Sequence, residues 1–351
     1  MTLSEIRRFD HADMYGAVHA FPEHLQAGRQ HALGQRHRVA NLQGRVFNGV
    51  VVAGMGGSAI GGDFLRALAY DVASVPVVVS RSYTLPAWVN ADTLVVASSY
   101  SGNTEETLAV FDAAAARGAS LLCITTGGAL KARAELADAS LVTLVPGLQP
   151  RAALGYSAAA LVTACEALGL VSIADSDWAE AVFVLRSLRA AWEDPSGESN
   201  AALRLARRLI PLFPVIYSSE QLEVANLRWR NQMHENAKTL AVGNLLPEMN
   251  HNEIMGWARL GAELKRLGVV VLRDAADHPR TRRRLDVTAS LLKGQAGHWE
   301  EVVSTGSSRL ARLLSLMYRS DWVSLYLAVF HKTDPSPVGL ISMLKQQLAE
   351  V

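Results

Sequence analysis

From residue 46 onward the chain alternates unbroken apolar runs with stretches of helical spacing. VFNGVVVAG (46–54), VPVVVSR (75–81), TLVVASS (93–99), SLLCITT (120–126) and SLVTLVP (140–146) read as strands. Between them, 58–72, 103–118 and 131–139 carry helical periodicity. Short β-branched runs without polar alternation are buried on both faces, which predicts a parallel sheet covered by helices. Residues 1–45 read as polar and helical, and 155–210 as mostly helix, broken at DPSG (194–197). The alternation restarts at FPVIYSS (213–219), with a long helix over 220–238, strands at 268–274 and 299–305, and closing helices at 309–331 and 338–350. Strand, Ser/Thr-rich turn and helix recur in both halves, FPVIYSSEQ echoing LVVASSYSGNTEE. The pattern predicts two α/β domains, 1–155 and 211–351, joined by a helical connector at 156–210.

Composition narrows the class. A chain of 351 residues, half hydrophobic and 19% charged, has room for two well-cored domains. Its 34 basic and 33 acidic residues leave a net charge of +1, so there is no electrostatic reason to expect nucleic acid. The one dense basic run, HPRTRRRL (278–285), reads as a solvated helix face. Cys123 and Cys165 sit in apolar surroundings and read as reduced core thiols, not as a disulfide or zinc framework. The N-terminus lacks a signal-type apolar region, and no stretch approaches the roughly 18 apolar residues of a membrane helix. A soluble cytoplasmic protein that does not engage membranes is expected.

Two loops carry candidate chemistry. GMGGSAIGG (54–62) turns a strand into a helix, gathering backbone N–H groups and the positive end of a helix dipole at one point. No Gly-Lys-Ser/Thr follows, so it is not a Walker loop. Gly54, Gly56 and Ala59 satisfy the looser dinucleotide spacing, but VVVSRSY offers no acidic residue for a ribose. VASSYSGNTEET (96–107) crowds Ser98, Ser99, Ser101 and Thr104 around Gly102. A helix start uses one capping hydroxyl, and the surplus suits a monophosphate.

The pair GMGGSAIGGD and SSYSGNTEE resembles the sugar isomerase (SIS) domain, and in particular the bifunctional phosphoglucose/phosphomannose isomerases. ENAK (235–238), NHNEIMGW (250–257) and ISMLKQQL (341–348) continue the resemblance in order along nearly the whole chain. It implies two SIS domains, each a mostly parallel sheet flanked by helices in a flavodoxin-like α/β sandwich. The implied activity interconverts glucose 6-phosphate, and mannose 6-phosphate, with fructose 6-phosphate in carbohydrate metabolism. The reaction needs a ring-opening acid/base, one base to move a proton between C2 and C1 through an enediol, and a fixed cation for the oxyanion. No metal or other cofactor is expected.

By resemblance Glu235, at the start of ENAK, is the base; its apolar neighbours Met233 and Ala237 suit such a role, against the plainer reading of a surface glutamate paired with Lys238. His251, the histidine of NHNE, opens the ring, reaching the site from the partner subunit of a homodimer; His234 is its rival. Arg151 faces the enediolate, since a guanidinium does not deprotonate in use. Lys345 assists at the ring, with Lys332 competing for that place, and Ser336 supplies a hydroxyl near C1 and C2. Phosphate is held by Gly56, Gly57, Ser58, Ser99, Ser101 and Thr104. Two alternatives remain: a sugar-phosphate-sensing SIS regulator, and an isomerase for another substrate such as glucosamine 6-phosphate.

Overall fold

Two short helices, α1 (Leu3–Phe9) and α2 (Met14–His19), precede α3 (Phe21–Gly34) and a 3-10 segment at 36–42. The computed structural model describes residues 1–259 and 261–348. The chain divides into two compact units, one holding residues 20–186 with 306–312, the other 1–19, 187–305 and the chain from Leu313 onward.

In the first unit β1 (Gly49–Ala53) leads into α4 (Gly56–Ala69), followed by β2 (Val77–Ser80), β3 (Thr93–Ser99), α5 (Glu105–Ala116), β4 (Ser120–Thr125), α6 (Gly128–Leu136), β5 (Ser140–Thr143) and α7 (Leu154–Ala167). The five strands are parallel in the order β2-β1-β3-β4-β5. β1 and β3 are buried at every position, each fully buried Val contributing about 1.5–3 kcal/mol. Val51, Ala53 and Val95 pack with Val110 and Ala114 of α5. The other face is covered by α4, whose Gly62 lies so close that an added Cβ would stand 3.0 Å from Val52. Both cysteines are buried and free, and burial pushes each thiol up to about 12.

In the second unit α8 (Asp175–Trp192, which starts in the first) and α9 (Ala201–Leu209) lead to β6 (Phe213–Ser219), α10 (Glu223–Glu235), β7 (Val242–Leu246), β8 (Leu267–Arg273), α11 (Pro279–Leu292), β9 (His298–Val303), α12 (Arg309–Phe330) and α13 (Gly339–Leu348). The parallel order is β7-β6-β8-β9. In each sheet the first strand is internal, the second lies at the edge beside it, and the third flanks it on the other side. By that order β6 corresponds to β1, and β8 to β3. The serine pair of FPVIYSSEQ therefore answers to the glycine loop, not to the serine loop it resembles in sequence.

One face of this sheet packs Tyr217, Val269 and Val271 against Met249, Trp257, Leu285 and Leu292. A buried polar seam joins α10 to α12. Arg228 makes two bonds to Asp321, Gln232 donates to the same carboxylate at 2.8 Å, and Asn236 donates to Ser324 at 3.0 Å. Removing one partner of the buried Arg228–Asp321 pair leaves the other charge stranded, a loss of about 3–5 kcal/mol. This seam sets the rotation of α10 and hence the direction of Glu235. β7, the strand with Gly243 and Asn244, is a half-exposed edge strand that apolar patterning does not reveal. α13 has no buried residue: Leu340, Ile341, Met343 and Leu344 are exposed.

Candidate active site

In an open parallel sheet, ligands bind at the carboxyl ends of the strands where the strand order reverses. In the first unit that point lies between β1 and β3. There Gly54 abuts the carbonyl oxygen of Ser98, with 2.9 Å to a notional Cβ. α4 opens at Gly56 with φ +51; the Ser58 and Ala59 amides go to the Met55 carbonyl, while those of Gly56 and Gly57 precede the first bond of the helix. Gly57 packs so tightly that a Cβ would lie 2.7 Å from the Pro150 carbonyl oxygen and 3.3 Å from the Cα of Arg151. Gly57 thus seats the turn carrying Arg151, whose side chain is buried.

The serine loop is internally braced. The Ser99 and Thr104 hydroxyls lie 2.8 Å apart, and the Gly102 amide donates to Ser99 Oγ at 3.1 Å. Gly102 has φ +71, and a Cβ there would fall 1.8 Å from the Gly127 carbonyl oxygen, so no other residue fits. Tyr100 ties the loop to the Arg151 turn: its hydroxyl donates to the Val145 carbonyl and accepts from the Leu148 amide, at 2.9 and 3.1 Å. Sequence reasoning passes over Tyr100 because an aromatic among serines carries no spacing signal. At the end of β2, Arg81 pairs with buried Asp63. Gly56, Gly57, Ser58, Ser99, Ser101, Thr104 and Arg151 therefore stand around one crevice.

In the second unit Glu235 is the last residue of α10 and is half-buried. Lys238, with φ +52, sends Nζ to the main-chain carbonyls of Glu235 and Pro335. The segment at 331–338, with buried Ser336, is thereby held beside the end of α10. His234, the rival histidine, has its Nε2 3.0 Å from the main chain of Ala241. Lys332 and Lys345 are both exposed, and neither side chain makes a hydrogen bond or ion pair among the described residues.

His251 lies elsewhere. α10 starts from the carboxyl edge of the sheet and runs back, so Glu235 sits at the amino edge, where β7 then begins. β7 returns to the carboxyl edge, and His251 closes the 3-10 turn Glu248–His251 that follows it. The five residues of β7 set these edges about 17 Å apart. This unit does not bring Glu235 and His251 together.

The rest of NHNE holds His251 outward. Asn250 donates to Thr288 of α11 at 2.9 Å, and Asn252 donates to Glu248 at 2.6 Å. Glu253 accepts from the Tyr217 hydroxyl and from Asn244, the latter at 2.7 Å, while Trp257 donates to the Tyr217 oxygen at 3.1 Å. Burial, and then Glu253, push the Tyr217 hydroxyl well above its ordinary value, so it stays a donor. His251 itself is exposed. Glu253→Ala leaves Tyr217 and Asn244 without their acceptor, a cost of about 1–3 kcal/mol. Thermal melts should register that loss, and amide hydrogen exchange should rise across 248–258.

Two parallel sheets of this order, the first with a glycine turn and a serine loop at its switch point, define a class, the SIS-domain proteins of sugar-phosphate chemistry. The SIS domain profile matches residues 48–168, and that of the bacterial phospho-glucose isomerase C-terminal SIS domain matches 198–348. The chain is 44% identical over 340 residues to a bifunctional phosphoglucose/phosphomannose isomerase of Caldicellulosiruptor bescii, covering 96% of this chain and 99% of that one. It is 36% identical to the protein of the same description from Aquifex aeolicus, over 86% of this chain and 91% of that one. The solved structure of tagatose-6-phosphate ketose/aldose isomerase from Escherichia coli shares the fold with a TM-score of 0.69 at 16% identity, covering 93% of this chain and 95% of that one. The chain belongs to the bifunctional phosphoglucose/phosphomannose isomerase family. Among the described residues, no helix is long and apolar enough to cross a membrane.

Proposed function

We propose that the chain interconverts glucose 6-phosphate and mannose 6-phosphate with fructose 6-phosphate by proton transfer through a cis-enediol. The observation that carries this reading is the first crevice. Hydroxyls and helix-start amides stand together there, beside a buried arginine. Such a set holds a phosphate dianion by many short donors, without a lysine.

In this reading Gly56, Gly57, Ser58, Ser99, Ser101 and Thr104 hold the phosphate. His251 and Lys345 open the ring, protonating the ring oxygen as the C1 or C2 hydroxyl loses its proton. Glu235 then takes the proton from C2 of the aldose and returns it to C1, while Arg151 steadies the negative charge on the enediolate oxygen. Rotation of the enediol about C2–C3 presents its other face to the same carboxylate, giving the mannose epimer. No step calls for a metal, and a chelator should leave the rate unchanged.

His251 is offered to a second copy of the chain. Its exposure, and its place at the sheet edge opposite Glu235, support a homodimer whose active centres each draw His251 from the partner. The exposed apolar residues of α13 support the same arrangement. Conversion of fructose 6-phosphate in D2O, followed by proton NMR, tests the chemistry. The expected result is glucose and mannose 6-phosphates deuterated at C2. Protium still retained there after many turnovers, when a proton held on Glu235 has had repeated chances to exchange with solvent, would mean a hydride shift, and no aldose product at all would leave a sugar-phosphate-binding protein.

A further inference from the structure

The second sheet has its own crevice at the point where its strand order reverses, between the loops after β6 and β8. These correspond to the loops after β1 and β3 that build the first crevice. The second crevice is bridged. Asp277, buried, accepts from the Ser219 hydroxyl at 2.5 Å and from the Asp274 amide at 3.1 Å. Ser219 ends β6 and Asp274 follows β8. One carboxylate therefore takes a hydroxyl from one loop and a backbone N–H from the other, as a bound phosphate would.

The flanking helix strengthens the comparison. α5, which follows the first unit's serine loop, carries Glu105 and Glu106 in its first turn, the usual sign for a helix start. α11, its counterpart, has no acidic residue there and instead carries Arg280, Arg282, Arg283 and Arg284. None of the four makes a side-chain hydrogen bond or an ion pair among the described residues, though Arg282 and Arg283, with Arg273, hold the Asp286 carboxyl of the same helix below its ordinary value. Burial, and the nearby Asp274 carboxylate, raise the Asp277 carboxyl above its ordinary value, while Ser219, the Asp274 amide and Arg273 pull it back. Cations crowded against a helix dipole weaken the helix by themselves, and a resident anion offsets that.

We propose that the second crevice is a phosphate cradle occupied by the chain's own Asp277 carboxylate, which closes the C-terminal unit to phosphate esters and leaves one phosphate-holding crevice per chain. Removing that side chain opens a second site for a phosphate dianion between the Ser219 hydroxyl and the Asp274 amide, at the start of α11. The comparison rests on the reading of the first crevice as the substrate-phosphate site.

The test is calorimetric titration of the full chain with inorganic phosphate, in four forms: wild type, Asp277→Ala, the first-crevice double variant Ser99→Ala/Thr104→Ala, and the triple combination. Stoichiometries of one, two, none and one phosphate per chain are expected. Asp277→Ala binding no more phosphate than the wild type overturns the inference, whatever the double variant does. A double variant that keeps its phosphate instead removes the first-crevice reading, while the Asp277 comparison still decides the second. Should Asp277→Ala emerge unfolded, refolding by saturating phosphate replaces the count: recovery of the native circular dichroism supports the cradle, and failure to recover overturns it.

Discussion

Replacing Glu235 by Gln is expected to lower turnover of fructose 6-phosphate to both aldose phosphates by about 10²–10⁴-fold, the span of a lost acid–base group. Gln keeps the size and shape of the side chain. The Arg228–Asp321 seam and the Asn236–Ser324 bond that hold α10 are untouched, so the melting temperature should stay within a degree or two of the wild type. Fructose 6-phosphate should still bind, since its phosphate is held by other residues. The informative quantity is the ratio of the two products. One carboxylate serving both faces of the enediol loses glucose and mannose 6-phosphates in parallel. Loss of one product alone would mean that a second base serves the other epimer.

Mixing two inactive variants should restore activity. Glu235→Gln and His251→Ala are each expected to be strongly impaired as homodimers. Co-refolded in equal amounts, half of the dimers are mixed, and each mixed dimer pairs the intact Glu235 of one chain with the intact His251 of the other at one of its two centres. About a quarter of the wild-type centres should return, as closed two-fold symmetry dictates. The topology motivates this, since Glu235 and His251 stand at opposite edges of one sheet. A mixture no more active than its components would place both residues of a centre in one chain.

The parts of this molecule legible in its sequence are those whose cause is local. β1 and β3 stand out because strands buried on both faces need uninterrupted Val, Leu and Ala. The serine loop stands out because a helix start does not need so many hydroxyls. β7 is silent because an edge strand bonded only to β6 tolerates Gly243 and Asn244. The spacing of Glu235 and Lys238 suggests a helical ion pair. The helix ends at Glu235, and the left-handed backbone at Lys238 brings its ammonium onto the main-chain carbonyls of Glu235 and Pro335, contacts that the spacing does not announce. The likeness of FPVIYSSEQ to the serine loop misleads for a different reason. Strand correspondence is a property of sheet order, which only long-range pairing decides. Asp277 stands in a loop where polar residues are the norm, so nothing in its spacing separates a buried carboxylate from a solvated one.

The basic run at 278–285 shows both limits. As a helix face it is read correctly, since α11 covers Pro279–Leu292 and Arg280, Arg282 and Arg283 are exposed. That the loop leading into it reaches Ser219 at the end of β6, through Asp277, emerges only when β8 and β6 are known to be neighbours.

The central claim is that one centre makes two epimers from fructose 6-phosphate. The most direct measurement follows both products separately from purified wild-type protein, with a chelator present throughout. Glucose 6-phosphate and mannose 6-phosphate appearing together, at rates the chelator does not change, is the result this account predicts. Binding of fructose 6-phosphate without formation of either aldose would contradict it.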